Sequence, residues 1–145
     1  MKKFLPVIWI AMVVVFGELE ARACSCDFPL AKLTVKQQVK KARAKSQAVF
    51  VGKVLEVVRP SESFGVIVKF RVESSWKGKL LTELSLTTGL GNGDCGYPFE
   101  VGQKYLVYAY GSDENRLATN ICQRTSGVIE AAADLKALGK AKVPS

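Results

Sequence analysis

Histidine is absent from all 145 residues. Its absence removes the side chain that most often serves as a general base or a metal ligand near neutral pH. No serine or cysteine stands with a visible alternative base, so the chain reads as a non-enzyme that needs no cofactor. No C-x-x-C pair occurs either: Cys24 and Cys26 are spaced C-x-C, while Cys95 and Cys122 stand alone. That spacing argues against a structural zinc site and against a redox dithiol. A membrane-crossing pattern is missing too. The uncharged run from Phe4 to Gly17 has 14 residues and contains Pro6, against the roughly 20 needed to span a bilayer. The glycines of Gly89-Leu90-Gly91-Asn92-Gly93-Asp94 lack a following Lys-Ser/Thr and open no helical pattern, which argues against a phosphate-cradling loop. They read instead as backbone that must fit closely against a neighbour, tethered at Cys95.

What is present begins with a leader. Met1-Lys2-Lys3 supplies a positive start, Phe4 to Gly17 an apolar centre, and Ala21-Arg22-Ala23 small residues where a signal peptidase reads. Residues 1–23 are therefore read as a signal peptide whose removal leaves Cys24 first and exports the chain to the periplasm or the extracellular space. Lipoprotein processing is the alternative, since it also cuts before a cysteine, acylates it and anchors it to a membrane. Ala21 stands where such sites usually carry Leu, and Glu18, Glu20 and Arg22 are unusual neighbours for either route. Removing 23 of the 145 residues leaves 122 (24–145), the size of one domain with a single core. The leader holds three basic and two acidic residues, so the net charge of +8 becomes +7. Such an excess favours acidic partners or surfaces; an exported protein rarely meets nucleic acid, and none is expected as a partner. All four cysteines lie in the exported part, and the even count predicts two disulfides. A bridge between Cys24 and Cys26 would need a strained ring, so each bonds to Cys95 or to Cys122.

Residues Phe28 to Leu33 read as a connector. Thr34 and Gln37 form a capping box, and Val35, Val39 and Ala42 recur at helical spacing, which predicts a helix over about 35–45. Lys32, Lys36, Lys40, Lys41, Arg43 and Lys45 surround it. An anion- or membrane-seeking face is one reading; the favoured one is a solvated face with local charge excess, because the apolar side of the helix is too thin for strong insertion into a membrane interface.

Strands follow. Ala48 to Val58 is Val-rich, with Gly52 marking a bulge or bend. Phe64, Val66, Val68, Phe70 and Val72 share one face while Lys69, Arg71 and Glu73 take the other, and Ser75-Trp76-Lys77-Gly78 ends that strand. Trp76 reads as a core plug beside a turn. Further strands are expected at about Thr82–Thr88, Tyr105–Tyr110 and Leu117–Cys122, the three tyrosines of the fourth packing on the sheet with hydroxyls at its rim. Val128, Ile129, Ala132, Leu135 and Leu138 are helically spaced, with Gly139 as the stop and 139–145 as a frayed tail. Five short bent strands with one helix before and one after predict a mainly β fold, a Greek-key barrel of the OB type. A β-sandwich is the competing architecture, for which five strands are few.

One combination of these features is specific. Cys24-Ser25-Cys26 at the mature start, Asp94-Cys95-Gly96, Val101-Gly102-Gln103-Lys104-Tyr105-Leu106-Val107 and Asn120-Ile121-Cys122 together resemble the N-terminal domain of the tissue inhibitors of metalloproteinases. More broadly they resemble the netrin-like module, an OB-type barrel with flanking helices. The resemblance covers nearly all of 24–145, and it implies the pairs Cys24–Cys95 and Cys26–Cys122. It also implies a function: the freed α-amino nitrogen and the carbonyl oxygen of Cys24 chelate, in trans, the catalytic zinc of a metalloproteinase. Ser25 enters the protease's primed-side pocket, Cys26, Asp27 and Phe28 continue the wedge, and Gly93-Asp94-Cys95 presses beside it. The chain departs from animal members of that family in lacking a third disulfide in this domain, a Cys-rich C-terminal subdomain and a long loop between the first two strands. A netrin-like binding module for acidic partners, lipid-anchored through Cys24, is the alternative function. The expected state is monomeric.

Overall fold

The computed structural model describes residues 24–26, 32–61, 65–113 and 116–145. The leader, most of the connector and Phe64 lie outside the described residues.

Helix α1 (Val35–Lys45) starts where the capping box places it. The Gln37 amide donates to Thr34 Oγ1 at 3.3 Å, and Gln37 Oε1 accepts from the Thr34 amide at 2.9 Å, satisfying donors that a helix start otherwise leaves unpaired. Strand β1 (Ala48–Val58) then runs between two neighbours, β2 (Val66–Lys77) and β4 (Lys104–Gly111). Its register against β2 shifts between Val51 and Gly52. A Cβ on Gly52 would lie 3.1 Å from both Phe50 Cε2 and Phe70 Cβ, so glycine lets the strand bend without pushing apart the rings beneath it.

Strand β3 (Glu83–Thr88) pairs with β2, the two-residue β5 (Leu117–Ala118) lies parallel to β3 and antiparallel to β4, and β4 returns to β1. The order β1-β2-β3-β5-β4 thus closes on itself as a five-stranded barrel of the OB type. Inside it, Phe50, Phe70, Phe99 and Tyr105 meet edge to face, with successive ring centroids 4.9–5.4 Å apart. Outside it, Val49, Val51, Leu106 and Tyr108 are covered by Val39 of α1 and by Ala131 and Leu138 at α2 (Ala132–Leu138). Ala48–Gly52 is therefore buried on both faces, which is why this stretch is apolar throughout whereas β2 alternates.

The later part of the chain differs from its sequence pattern. β5 stops at Ala118 rather than running to Cys122, because side chains replace the strand. The Tyr108 amide donates to Thr125 Oγ1 at 3.0 Å, the Thr119 hydroxyl donates to the Tyr108 carbonyl at 3.0 Å, and the two threonine oxygens lie 2.8 Å apart. A short β6 (Ser126–Gly127) pairs with β4, and the Val128 amide is bonded to the Lys104 carbonyl. The helical spacing at Val128 and Ile129 is thus overridden: α2 begins at Ala132, and Ile129 is 88 % exposed. The hydroxyl of Tyr108 is buried rather than at the rim. The tail is held rather than frayed at Gly139–Lys142, where Ser75 and Lys142 exchange two backbone bonds of 2.8 Å.

Candidate functional site: a disulfide-held ridge

The site is built on two loops of the barrel. The first, 89–96, is folded around the carboxylate of Asp94, which accepts from the amides of Leu90 (2.6 Å), Gly91 (2.8 Å) and Gly96 (3.1 Å). Those backbone donors, led by Leu90 and Gly91, hold the Asp94 carboxyl below the ordinary aspartate range although it faces solvent. Gly96 closes the loop, since a Cβ there would lie 2.2 Å from the Gly89 carbonyl oxygen. Between Asp94 and Gly96 the backbone turns through Cys95 with φ 64°, a left-handed conformation uncommon outside glycine. The second loop, 119–125, is tied to the first by the Ile121 amide, which donates to the Cys95 carbonyl at 2.9 Å. Asn120 Oδ1 accepts from the Cys122 amide at 3.0 Å and shapes the turn that carries this cysteine.

Onto these loops the disulfides fasten residues 24–26. Cys24 bonds Cys95 with a Cα separation of 5.2 Å, and Cys26 bonds Cys122 at 5.1 Å, both within the usual range and both the pairs that the family resemblance implies. The two bridges lie side by side: the Cys122 sulfur is 3.9 Å from that of Cys24 and 4.0 Å from that of Cys95. Ser25 is exposed between two half-buried cysteines, and Gly93 and Asp94 are exposed next to Cys95. The ridge thus gathers Cys24, Ser25, Cys26, Gly93, Asp94 and Cys95; Asp27 and Phe28 lie outside the described residues. Three of the sulfurs come within 4.8 Å of one another. All are oxidised in disulfides, whereas metal binding needs thiolates, so this cluster as paired is a clamp and no metal centre.

Sequence reasoning missed the support beneath Cys122. Arg124 reaches the buried Asp134 through Nε at 2.8 Å and Nη2 at 2.5 Å, and donates to Gln38 Oε1 at 2.6 Å. Tyr108 donates to the same carboxylate at 3.1 Å. The network therefore ties the Cys122 loop to α1, α2 and β4 at once. The Asp134 carboxylate raises the Arg124 guanidinium pKa, and burial followed by the Asp134 charge pushes the Tyr108 phenol upward. The only trace of this in the sequence is an Asp at a position of α2 that helical spacing turns inward. Leu90 and Ile121 are exposed apolar residues on the two loops that carry the ridge.

Among known proteins, no family model matches this chain and no curated protein matches it.

Proposed function

We propose that the protein is an exported inhibitor of zinc metalloproteinases that acts through the backbone of Cys24. One observation carries the reading: two cysteines flanking an exposed Ser25 are both bonded to barrel loops that are themselves hydrogen-bonded together. A segment that would otherwise fray is held in one conformation. Fixing the backbone of a residue costs roughly 1–2 kcal/mol, so a wedge ordered before binding spares that cost in the complex. With residues 1–23 removed, Cys24 offers an amine nitrogen and a carbonyl oxygen on one residue, a bidentate donor for a catalytic zinc that keeps an open position and can expand its coordination. Ser25 then leads into the substrate cleft, and the Gly93-Asp94-Cys95 edge lies beside it. No side chain of the inhibitor performs chemistry, and no catalysis is assigned to it.

The decisive experiment compares three forms of the folded protein against a panel of zinc metalloproteinases: one beginning at Cys24, the same form acetylated at its amine, and one with a single alanine before Cys24. Inhibition by the first alone is expected. Undiminished inhibition by either blocked form excludes chelation by Cys24. Intact mass without reduction reports the cleavage point, any acyl group and both disulfides in the same sample.

A further inference from the structure

The positive charge of this chain is concentrated in three segments that the fold brings together. Residues 32–45, 74–82 and 135–145 hold eleven of the 21 Lys and Arg and none of the 13 Asp and Glu, so the rest of the chain has ten basic against 13 acidic residues. Their convergence is built from backbone acceptors. Arg43 donates to the Trp76 carbonyl at 2.8 Å, and Lys77 Nζ donates to the carbonyls of Arg43 and Ala44 at 3.0 and 3.1 Å. The Trp76 indole donates to the Gly139 carbonyl at 2.8 Å, and Ser75 pairs with Lys142. The last turn of α1, the end of β2 and the 139–142 stretch therefore form one cationic pole, with Lys40, Lys41, Lys45, Lys136, Lys140 and Lys142 exposed on it.

Apolar side chains stand among these cations. Leu80 is 45 % exposed, Leu81 41 % and Val143 70 %. They adjoin residues bonded to β2: Thr82, whose carbonyl accepts from the Val72 amide, and Lys142, which pairs with Ser75.

We infer that this pole is a docking surface for an anionic lipid bilayer. Cations at a membrane surface are drawn to acidic headgroups, and exposed leucine and valine side chains gain by entering the boundary beneath them. A soluble polyanion offers no apolar phase to take Leu80, Leu81 and Val143. Single-stranded nucleic acid calls for stacking aromatics, and Trp76, the aromatic at this pole, is bonded to Gly139. The thin apolar side of α1 is thus supplemented by residues from two other segments. The surface uses none of the ridge residues and does not depend on the inhibitor reading.

The test uses folded protein beginning at Cys24, shown by intact mass to carry two disulfides and no acyl group. Its sedimentation is measured with vesicles of phosphatidylcholine alone and with vesicles containing phosphatidylglycerol. Binding to the second kind only, released by high salt, is expected. Each lysine near such a surface is worth about fivefold in affinity, so the pair Lys140→Ala and Lys142→Ala weakens binding about 25-fold while leaving the backbone bonds of Lys142 in place. The pair Leu80→Ser and Leu81→Ser weakens it about tenfold with an unchanged salt dependence. Equal binding to both vesicle types overturns the proposal. So does parental affinity in the leucine variant, and if a soluble sulfated polysaccharide then binds both proteins alike, the surface belongs to a soluble polyanion.

Discussion

Residues 24–26 and residues 139–142 both lie against the barrel without apolar bulk to hold them there, yet they are fastened by different means. The first stretch, Cys-Ser-Cys, is bonded covalently at two of its three residues. The second, Gly-Lys-Ala-Lys, depends on the Trp76 indole and two backbone bonds to Ser75. A typical hydrogen bond contributes about 1 kcal/mol net, while a disulfide closing a loop of this length contributes on the order of 4 kcal/mol. The ridge is therefore the more strongly fastened of the two. The 139–142 stretch is held by bonds that are individually weaker.

The largest expected effect breaks the covalent side of that contrast. Replacing Cys26 and Cys122 together by serine removes the bridge with a sequence separation of 96, and should lower unfolding free energy by about 4 kcal/mol in a denaturant titration. A loss near 1 kcal/mol would place the two fastenings on a par and remove the distinction. Next comes the support beneath the ridge. Arg124→Ala leaves the buried Asp134 carboxylate without its ion pair, at a cost of about 3 kcal/mol. Adding Asp134→Leu to Arg124→Ala should recover part of that loss, since it removes the stranded charge while leaving the buried Tyr108 hydroxyl without its acceptor. Additive losses in that pair would show that Arg124 acts through packing alone.

A smaller effect tests the hydrogen-bonded side. Trp76→Phe keeps most of the ring but removes the donor to Gly139, so a loss of about 1 kcal/mol is expected. Amide exchange at Lys142 should quicken with it, while the amides of Ile121 and Cys122 stay as protected as before. Unchanged exchange at Lys142 would mean that the Ser75 pairing holds this stretch without the indole.

The contrast also marks what the sequence makes legible. α1 was readable because its signals are local: Thr34 and Gln37 sit one turn apart, and Val39 is the buried residue of the helix. The alternation of β2 was readable for the same reason. β1 was found through its valines, although its double burial follows from which elements cover it. The second half of the chain was harder because its conformation is decided by distant partners. β5 ends early since two threonine hydroxyls serve Tyr108 in place of a strand, and Val128 joins Lys104 instead of a helix. The stretch after Gly139 looks like a tail in sequence because nothing in it points to Ser75. At the site, the cysteines and the glycine loop are evident from composition and spacing. The Arg124–Asp134–Gln38–Tyr108 network is not, since it assembles residues from four separate parts of the chain.

The smallest effect concerns the loop that presents Cys95. Asp94 is exposed, so its contribution lies in local shape rather than in global stability. Its folded pKa is depressed by the amides it accepts from. The organisation it provides is therefore present above its unfolded value of about 3.9 and is lost as pH falls through the lower folded value. In an NMR titration the amide signals of Leu90, Gly91 and Gly96 should move together, with a midpoint below about 3.9, and Asp94→Asn should abolish that movement. The disulfide from Cys95 should keep Cys24 near the loop throughout, so signals from Ser25 should shift less than those of Leu90. If Ser25 moves as far as Leu90, the ridge takes its geometry from the Asp94 loop as much as from its sulfur bonds, and rigidity at Cys24 becomes a pH-dependent property.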